Sequence, residues 1–448
     1  MQQIAYPSRQ LKRPLLMAAM LLSSGCVSMA YIQDPLEQFL INQQPELAIV
    51  ALDQQPNKKR DQALYHLNKA TLLRMQGNFK DSNAEFEKAK QISEKLTALS
   101  LREQATAITV NDAMRSYLPP AFEQTMIYCF KIINYLELND IDGARVETLQ
   151  LDVFLKQNLE KKEPAFARYL SGMVYEASKE PSNALIDYRK AYQAYNNANL
   201  TIPMQLKKDL LRLTDNQGLY NEHQDYRKKF KLEYWPTQAE LNQQGETIVI
   251  LFNGLIPHKY ETAINAQDPG SGQLHRIAIP FYEKRETNIK TMQIAVTNKS
   301  ANGELFLALD KQAEDSLSDK MPGIITRAIA RVSVKNNLSD NMEKQSPLLG
   351  VLTNIATFLS EQADTRAWYS LPQEILIGRI ASAPGAYNLN IRLNNATNST
   401  VSQKLLKITP KQQQKRFYSW HWAASTVISK RDDHARITYS ATIHHRID

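Results

Sequence analysis

Asp364, Arg366 and Trp368 lie close together in the segment ADTRAWYSLP and form the grouping of this sequence best suited to chemistry. An arginine guanidinium can bind a carboxylate such as Asp364 through two parallel hydrogen bonds. Arg327 and Arg331, in a neighbouring apolar segment, would complete a polar cluster beside apolar helices. The five residues predict either a structural junction between a helix and a strand or a site for a ligand.

The histidine residues give weaker indications of a site. His258, in the segment NGLIPHKYE, follows a turn-prone Asn-Gly pair and would lie at the mouth of a strand, either as a satisfied surface group or as the base of an enzyme. His444 and His445 alternate faces on a predicted strand, so they cannot bind one metal ion from one side. No metal site is therefore predicted.

Familiar catalytic motifs are absent from the sequence. It contains no G-x-S-x-G elbow, no phosphate-binding glycine-rich loop, no H-E-x-x-H pair and no calcium-binding loop. Its two cysteines, Cys26 and Cys129, are too few for a zinc site. We therefore expect no catalytic residue and no cofactor, and the protein is predicted not to be an enzyme.

The amino terminus has the ordered parts of an export signal. Arg9, Lys12 and Arg13 carry positive charge, residues 15–22 are apolar, and small residues follow them. The apolar run is too short to span a bilayer, which takes about 20 residues. We expect residues 1–25 to be a signal peptide that is cleaved from the mature protein.

Cys26 directly follows the small residues Ser-Ser-Gly, an order that resembles the lipobox of bacterial lipoproteins. The resemblance implies a diacylglycerol on the thiol of Cys26 and a palmitate on its amino group. More than one acyl chain would then enter the bilayer, and stable anchoring takes at least two such signals. The Val-Ser pair after the cysteine resembles the pattern that sorts lipoproteins to the outer membrane. Residues 26–33 would then be a lipidated tether, with the protein facing the periplasm.

Composition bounds the class of protein. With 43% hydrophobic residues the chain of 448 residues is expected to fold into two or three domains. The formal net charge of +8 includes +3 from the leader, and the remaining +5 is spread along the chain. Because it has no basic and aromatic recognition motif, we expect no nucleic-acid partner. Cys129, with Cys26 lipidated, is expected to be a buried thiol in an oxidising compartment.

Residues 34–236 predict an all-α domain. Apolar residues recur there at spacings of three and four, the period of amphipathic helices. Two segments match the turn, small contact residues and packing aromatics of a tetratricopeptide repeat. The matching residues are Leu73, Gly77, Phe79, Ser82, Phe86 and Ala89 in one copy and Gly172, Tyr175, Ala184, Tyr188 and Ala191 in the other.

A weaker copy lies between these two, with its turn at residues 139–143. The spacing of the copies is irregular, with 62 residues from Ser82 to Ala144 and 40 from Ala144 to Ala184, against about 34 in a regular array. Extra helices or long loops are therefore expected, and residues 45–55 resemble half of another hairpin. Stacked hairpins of this kind either bind a partner protein on a concave surface or act as a rigid spacer.

After a linker predicted at residues 237–246, residues 247–448 predict a β-rich α+β domain. Alternating apolar residues and intervening Gly turns are typical of antiparallel strands. Two helices, residues 320–338 and 346–368, are expected to interrupt the strands. The predicted strands are ETIVILFNG, HRIAIPFYE, KTMQIAVTN, GELFLALD, QEILIGRIA, AYNLNIRLN, KLLKITP, RFYSWHWAAST and ARITYSATIHH.

The fold expected from these patterns is an α+β multidomain protein. A tetratricopeptide-like helical repeat domain comes first, and a mostly antiparallel β-rich domain with two inserted helices follows it.

Eight segments, taken in order, resemble a widespread family of uncharacterised proteobacterial lipoproteins with tetratricopeptide-like helices. The match runs from the lipobox nearly to the end of the chain. The segments are YLPPAFEQ, LNDIDGARVE, ARYLSGMVYE, ALIDYRKAY, NGLIPHKYE, MPGIITRAIAR, EQADTRAWYSLP and APGAYNL. The family has no assigned activity, but its members are thought to lie beside lipoprotein activators of peptidoglycan synthases, which implies a role in cell-envelope assembly.

These features together predict a non-catalytic outer-membrane lipoprotein that acts as a protein-interaction scaffold in peptidoglycan or surface-polymer assembly. Its expected partners are the bilayer, through acylated Cys26, and a periplasmic protein, through the helical repeats. One alternative is a structural subunit of a secretion or export complex. Another is a hydrolase of envelope glycan that uses His258 or the pair Asp364 and Arg366.

Overall fold

The computed structural model describes residues 35–56, 58–103, 115–158, 163–267, 272, 274–345 and 362–426. The predicted signal peptide, the tether with Cys26, most of the second inserted helix and the strand with His444 and His445 lie outside these residues.

Twelve α-helices occupy the described chain, eleven of them before the first strand. They are α1 (Pro35–Ile41), α2 (Pro45–Gln54), α3 (Gln62–Met75), α4 (Phe79–Glu103), α5 (Ala121–Glu137), α6 (Ile141–Asn158), α7 (Ala165–Ala177), α8 (Pro181–Asn197), α9 (Met204–Asn216), α10 (Tyr220–Phe230), α11 (Gln238–Asn242) and α12 (Leu309–Gln345). The first ten pack as five consecutive hairpins, from α1 with α2 to α9 with α10.

The five hairpins share one turn geometry. In each turn a single residue adopts a left-handed backbone conformation, and the N–H of the next residue donates to the carbonyl five positions earlier, which ends the first helix of the pair. The left-handed residues, with spacings of 34, 62, 40 and 39 positions, are Gln43, Gly77, Asn139, Lys179 and Gly218. The hairpins predicted from the sequence at Gly77, residues 139–143 and residues 172–191 are present, and residues 45–54 form the second helix of another.

Ten strands follow α11 and form two four-stranded sheets and a separate hairpin. They are β1 (Gly245–Asn253), β2 (Lys259–Gln267), β3 (Leu274–Tyr282), β4 (Thr291–Val296), β5 (Lys299–Asn302), β6 (Glu304–Ala308), β7 (Glu374–Ser382), β8 (Tyr387–Asn394), β9 (Thr400–Ile408) and β10 (Lys415–Trp422). The central sheet has the order β10-β1-β7-β6, the outer sheet has the order β5-β4-β8-β9, and β2 pairs with β3. All neighbours are antiparallel except β1 and β10, which are parallel.

The central sheet is covered on both faces. Ile248, Ile250 and Phe252 of β1 belong to the core shared with the helices, whereas Val249 and Leu251 belong to the core shared with the outer sheet. Successive side chains of a strand point to opposite faces. This is why the sequence of β1 is continuously apolar from Ile248 to Phe252 rather than alternating.

The first helix of each of three hairpins contacts the central sheet. Arg74 of α3 donates to Ser419 of β10, and the ring of Tyr169 on α7 stacks on Phe306 of β6 at 4.4 Å. Asp209 on α9 pairs with Arg379 of β7 at 2.6 Å. Arrays of helical hairpins generally present an extended binding surface. In this protein, strands of the central sheet lie against the first helices of these three hairpins.

Three segments differ from the sequence-based expectation. Residues 237–246, expected as a linker, contain α11 and the first residues of β1, because Thr237 and Glu240 form a capping box that starts a helix. Helix α12 begins at Leu309 rather than at residue 320 and passes through Pro322. Residues 362–368, expected to end a second helix, are not helical.

No helix within the described ranges is both long and apolar enough to cross a bilayer.

Candidate functional site

A groove of about 1580 Å³ runs between the helical array and the carboxy-terminal half. Its walls come from α5, the start of α7, the end of α8 with its connection to α9, strand β6 and the first turns of α12. Pockets for small molecules enclose roughly 300–1,000 Å³. The groove is therefore large enough for a segment of another macromolecule.

Three exposed large apolar residues line the groove. Leu305 of β6, Leu200 of the α8–α9 connection and Met204 at the start of α9 line it, with 48%, 40% and 39% of their surfaces exposed. Apolar side chains concentrated in a concave surface are characteristic of binding sites. Four lysines and four acidic residues also line the groove, so its charge is balanced: Lys190, Lys207, Lys311, Lys320, Glu163, Glu304, Asp315 and Asp319.

Strand β6 lines the groove along its whole length and is an edge strand of the central sheet. Its pairing with β7 is irregular at Phe306, where the register shifts between Leu305 and Leu307. The hydroxyl of Tyr195 on α8 donates to the carbonyl of Phe306 at 2.6 Å. Burial raises the pKa of Tyr195, so this hydroxyl keeps its proton. The outer edge of β6 therefore faces α8 and the groove.

Glu304 fastens the start of β6 to the start of α9. Its carboxylate accepts from the backbone N–H of Gln205 at 3.1 Å and from that of Met204. Burial raises the pKa of Glu304, although the helix N–H groups act in the opposite direction. A carboxylate at a helix amino terminus is stabilised by these unsatisfied donors and by the helix dipole. Two walls of the groove are thus held together at this end.

Cys129 lies in the groove wall contributed by α5. Its thiol is fully buried, and burial raises its pKa. A thiol is a good nucleophile only when it ionises readily. Cys129 therefore acts as a packing residue, as predicted from the apolar segment around it.

The residues predicted as a polar cluster occupy different environments. Arg366 binds Asp364 through two hydrogen bonds of 2.8 Å, from Nε to Oδ1 and from Nη2 to Oδ2. Its Nη1 also donates to Asp61 at 2.8 Å and to the carbonyl of Arg115 at 3.0 Å. Arg366 therefore joins the segment before β7 to the helical half. This arrangement supports the structural interpretation of the pair rather than the ligand site.

Trp368 points away from Asp364 and Arg366 into the core. It is fully buried, and its indole N–H lies 3.0 Å from the hydroxyl oxygens of both Thr71 and Ser370. Its ring contacts Phe86 and Phe130 with centroids 5.6 Å apart. Trp368 is thus a core residue shared between α3, α4, α5 and the segment before β7.

Arg327 and Arg331 lie on α12, where Ala328 and Ile329 pack against Ile277 of β3. This helix crosses the β2–β3 hairpin, whereas Asp364 is bonded to Arg366, which reaches toward the helical half. The backbone N–H of Ala363, beside Asp364, donates to Glu261 of β2 at 2.6 Å, so both parts of the predicted cluster lie near the β2–β3 hairpin.

His258 is engaged by a carboxylate. Its Nε2 lies 2.5 Å from Oε2 of Glu37 on α1, and Arg285 binds the other oxygen of that carboxylate at 2.6 Å. Burial raises the pKa of Glu37, but His258 and Arg285 outweigh it and hold the pKa below its ordinary value. The ring of Tyr369 lies 4.8 Å from that of His258. The histidine therefore fastens α1 to the segment before β2.

A buried network of six charged residues, which we call the ionic seam, was not predicted from the sequence. It joins α7 and α9 to the central sheet and contains Glu176, Asp209, Arg212, Glu246, Arg379 and Lys415. Arg379 pairs with Asp209 at 2.6 Å and with Glu246 at 2.7 Å. The signal in the sequence was an arginine inside the otherwise apolar run EILIGRIAS. The seam contains three cations and three anions, so it is a structural contact rather than an unbalanced site.

Arg74 is a second buried cation that sequence reasoning missed. Its Nε donates to Nε2 of His421 at 3.1 Å, and its guanidinium lies 4.8 Å from the centroid of the Phe252 ring. Burial lowers the pKa of Arg74 to about 10 and holds that of His421 well below its ordinary value. A neutral His421 can accept the hydrogen bond.

In the described part of the chain, no group of three or more potential ligands is arranged for a metal ion.

No family model matches the chain, and neither does any curated protein. Among solved structures, one described as "MamA AMB-1 P212121" is similar over 46% of this chain and 92% of that chain, with 11% identity and a TM-score of 0.29. A chain of the "Rap conjugation gene regulator of the plasmid pLS20 in complex with the Phr* peptide" is similar over 50% of this chain and 66% of that chain, with 15% identity and a TM-score of 0.29. At these TM-scores, neither similarity indicates a function.

Proposed function

We propose that this protein is a non-catalytic, lipid-anchored scaffold of the bacterial cell envelope that binds a partner protein in the groove beside β6. The observation that carries the proposal is the groove itself, which encloses about 1580 Å³ and is lined with exposed apolar side chains such as Leu305. A cavity of this size exceeds what a small substrate fills. Its charged lining residues are balanced in sign, as suits a polypeptide partner.

The polar groups that an enzyme would use are bonded within the protein. His258 is held by Glu37, Asp364 is held by Arg366, and neither His258 nor Asp364 lines the groove. The ionic seam, in turn, lies between helices and sheet, with Asp209, Arg212, Glu246 and Arg379 buried. These contacts stabilise the fold, and this favours a binding role over glycan hydrolysis.

Photo-crosslinking in living cells tests the binding role. We expect p-benzoylphenylalanine in place of Leu305 to form an adduct with one or two envelope proteins. The matched control replaces Leu405, an exposed leucine of edge strand β9 in the outer sheet, with 65% of its surface exposed. Identical adducts from both positions, or none from position 305, would remove the groove as the binding site.

The lipid anchor is tested by metabolic labelling with an alkyne-bearing fatty acid. We expect Cys26→Ser to abolish labelling and to leave an unprocessed leader, while Cys129→Ser retains the label. Because Cys129 is buried in the folded protein, it is a suitable control thiol. A Cys26→Ser variant that matures to the same size and remains with membranes would contradict the anchor.

One observation favours a second candidate, a structural subunit of an export assembly. Val146, Leu149 and Val153 form an apolar stripe on α6, with 51%, 44% and 52% of their surfaces exposed. The stripe does not belong to the groove. A large native complex in detergent extracts, reduced in size by the substitutions Val146→Glu and Val153→Glu, would support this candidate.

A further inference from the structure

We infer that the groove binds an extended apolar peptide, which pairs with the open edge of β6 and adds a strand to the central sheet. The inference rests on the proposed function, because it uses the same groove and specifies the chemistry of the partner. The partner segment would be unfolded and apolar at alternate positions. Its backbone, rather than its side chains alone, would be recognised.

The first observation is the open edge. Among the residues that the structure describes, the central sheet has the order β10-β1-β7-β6, so β6 pairs there with β7 on one side only. Within the described ranges, the hydrogen bond to the carbonyl of Phe306 comes from the Tyr195 side chain rather than from a further strand. An unpaired edge offers a row of donors and acceptors to another strand. Proteins that bind peptides by strand addition use such an edge.

The second observation is the position of this edge inside the groove. All five residues of β6, Glu304–Ala308, line the cavity, and at about 3.3 Å per residue they span roughly 17 Å. Leu305, Leu200 and Met204, which are all exposed, also line this cavity. A peptide strand of five or six residues would therefore find both backbone partners and apolar contacts in one place.

The edge also decides between occupants. An acyl chain would fill the apolar part of the groove but would offer no hydrogen bond to the backbone groups of the open edge other than the Phe306 carbonyl, which Tyr195 already satisfies. A buried backbone group left unsatisfied costs about 1–3 kcal/mol. A peptide satisfies these groups, and the groove volume of about 1580 Å³ leaves room for its side chains. The chemistry of the groove thus favours a peptide over a lipid.

A phage-displayed library of random heptapeptides, selected on the full chain, tests the inference. Peptides that bind Leu305→Arg equally well are removed by counter-selection. We expect the remaining peptides to share alternating apolar residues and to bind Leu305→Arg roughly tenfold to a hundredfold more weakly, as for loss of one buried leucine contact. Leu405→Arg, on the exposed edge strand β9, should bind them like the parent protein.

N-methylation separates strand addition from simple apolar binding. Methylating alternate amides of a selected peptide on one edge should weaken binding about tenfold or more, while methylating the other set should have little effect. Amide hydrogen exchange in β6 should slow when the peptide binds. Melting temperatures of both leucine variants, measured alone, show whether either has lost its fold.

Four outcomes would overturn the inference. In the first, selection yields no peptide that depends on Leu305. In the second, both N-methylated sets bind like the parent peptide. In the third, palmitate displaces the peptide completely and amide hydrogen exchange in β6 does not change. In the fourth, a concentration-dependent dimer that Leu305→Arg abolishes shows instead that a second copy occupies the groove. If crosslinking at position 305 still captures an envelope protein in any of these cases, the inference fails while the proposed function stands.

Discussion

Glu123 is a carboxyl group that the fold holds in an apolar environment. It is 1% exposed, and it accepts hydrogen bonds from the hydroxyl of Tyr117 at 2.6 Å and from the backbone N–H of Trp368 at 3.3 Å. Burial raises the pKa of Glu123, and these bonds together with the charge of Lys259 offset only part of that effect. The carboxyl group is therefore a site where protonation is coupled to folding.

This coupling predicts a pH effect for Glu123→Gln. Because the folded pKa lies above the ordinary value of 4.5, the unfolded chain loses its proton first as the pH rises, and ionisation then disfavours the folded state. Relative to the parent, the variant should gain stability as the pH rises from below 4.5 toward neutrality. Urea unfolding across the acidic and neutral range measures the difference.

Glu240→Gln is the matched control for this effect. Backbone and side-chain hydrogen bonds from Thr237 lower the pKa of Glu240, so its stabilising contribution is present above 4.5 and is lost as the pH falls. The two variants should therefore change with pH in opposite directions. Parallel stability curves for Glu123→Gln and the parent would contradict the account of Glu123.

At the scale of single elements, the hairpin of α7 and α8 depends on a close approach at Gly172. A Cβ atom added at Gly172 would overlap the ring of Tyr188 on α8. The sequence predicted a close approach of these two helices, because Gly172 and Ala184 occupy the small positions of a tetratricopeptide hairpin. The matching turn at Lys179 was harder to predict, because lysine carries no signal for a left-handed backbone.

Gly172→Ala should therefore destabilise the protein by roughly 1–3 kcal/mol, since overpacking forces the two helices apart. Gly323→Ala is the control. It lies within α12, where an added Cβ approaches only the flexible end of Arg327, and alanine favours a helix by up to about 1 kcal/mol. Thermal unfolding should show opposite shifts for the two variants. If Gly172→Ala left the thermal stability unchanged, α7 and α8 would be able to move apart with little loss of folding free energy.

Helices α11 and α12 differ in extent from what the sequence predicted. Polar residues 237–246 were expected to be a linker, but the capping box of Thr237 and Glu240 starts a helix there. Pro322 was expected near a helix start, whereas α12 continues through it from Leu309. In both segments the sequence contained a signal for a helix, but that signal did not define where the helix begins and ends.

At the scale of the whole molecule, the ionic seam joins the helical array to the central sheet. Arg379 is 8% exposed and lies between Asp209 of α9 and Glu246 of β1. Burial alone would raise the pKa of Glu246, but the positive charges of Arg379 and Lys415 outweigh it and hold this pKa at about 2. Removing one member of such a network leaves the others buried without compensation.

Arg379→Met should therefore lower the free energy of unfolding by about 3–5 kcal/mol. Circular dichroism, which reports on helices, and the fluorescence of Trp235, Trp368, Trp420 and Trp422 should follow the same destabilised transition. Lys88→Met removes an ion pair whose lysine is 55% exposed and should cost less than about 1 kcal/mol. Equal effects of the two substitutions would show that the seam does not couple the halves.

Local patterns in the sequence were sufficient to predict three of the five helical hairpins, the second helix of another and most strand segments, because helix period, strand alternation and turn residues act over a few positions. The hairpin of α9 and α10 was not predicted. Local patterns did not determine which surfaces meet. Strands β1 and β10 are parallel neighbours although Glu246 and Lys415 lie 169 positions apart, and the sheet they form covers one side of the helices. Only the tertiary structure decided that β6 is an edge strand in an apolar groove, because pairing between distant segments leaves no trace in the spacing of residues.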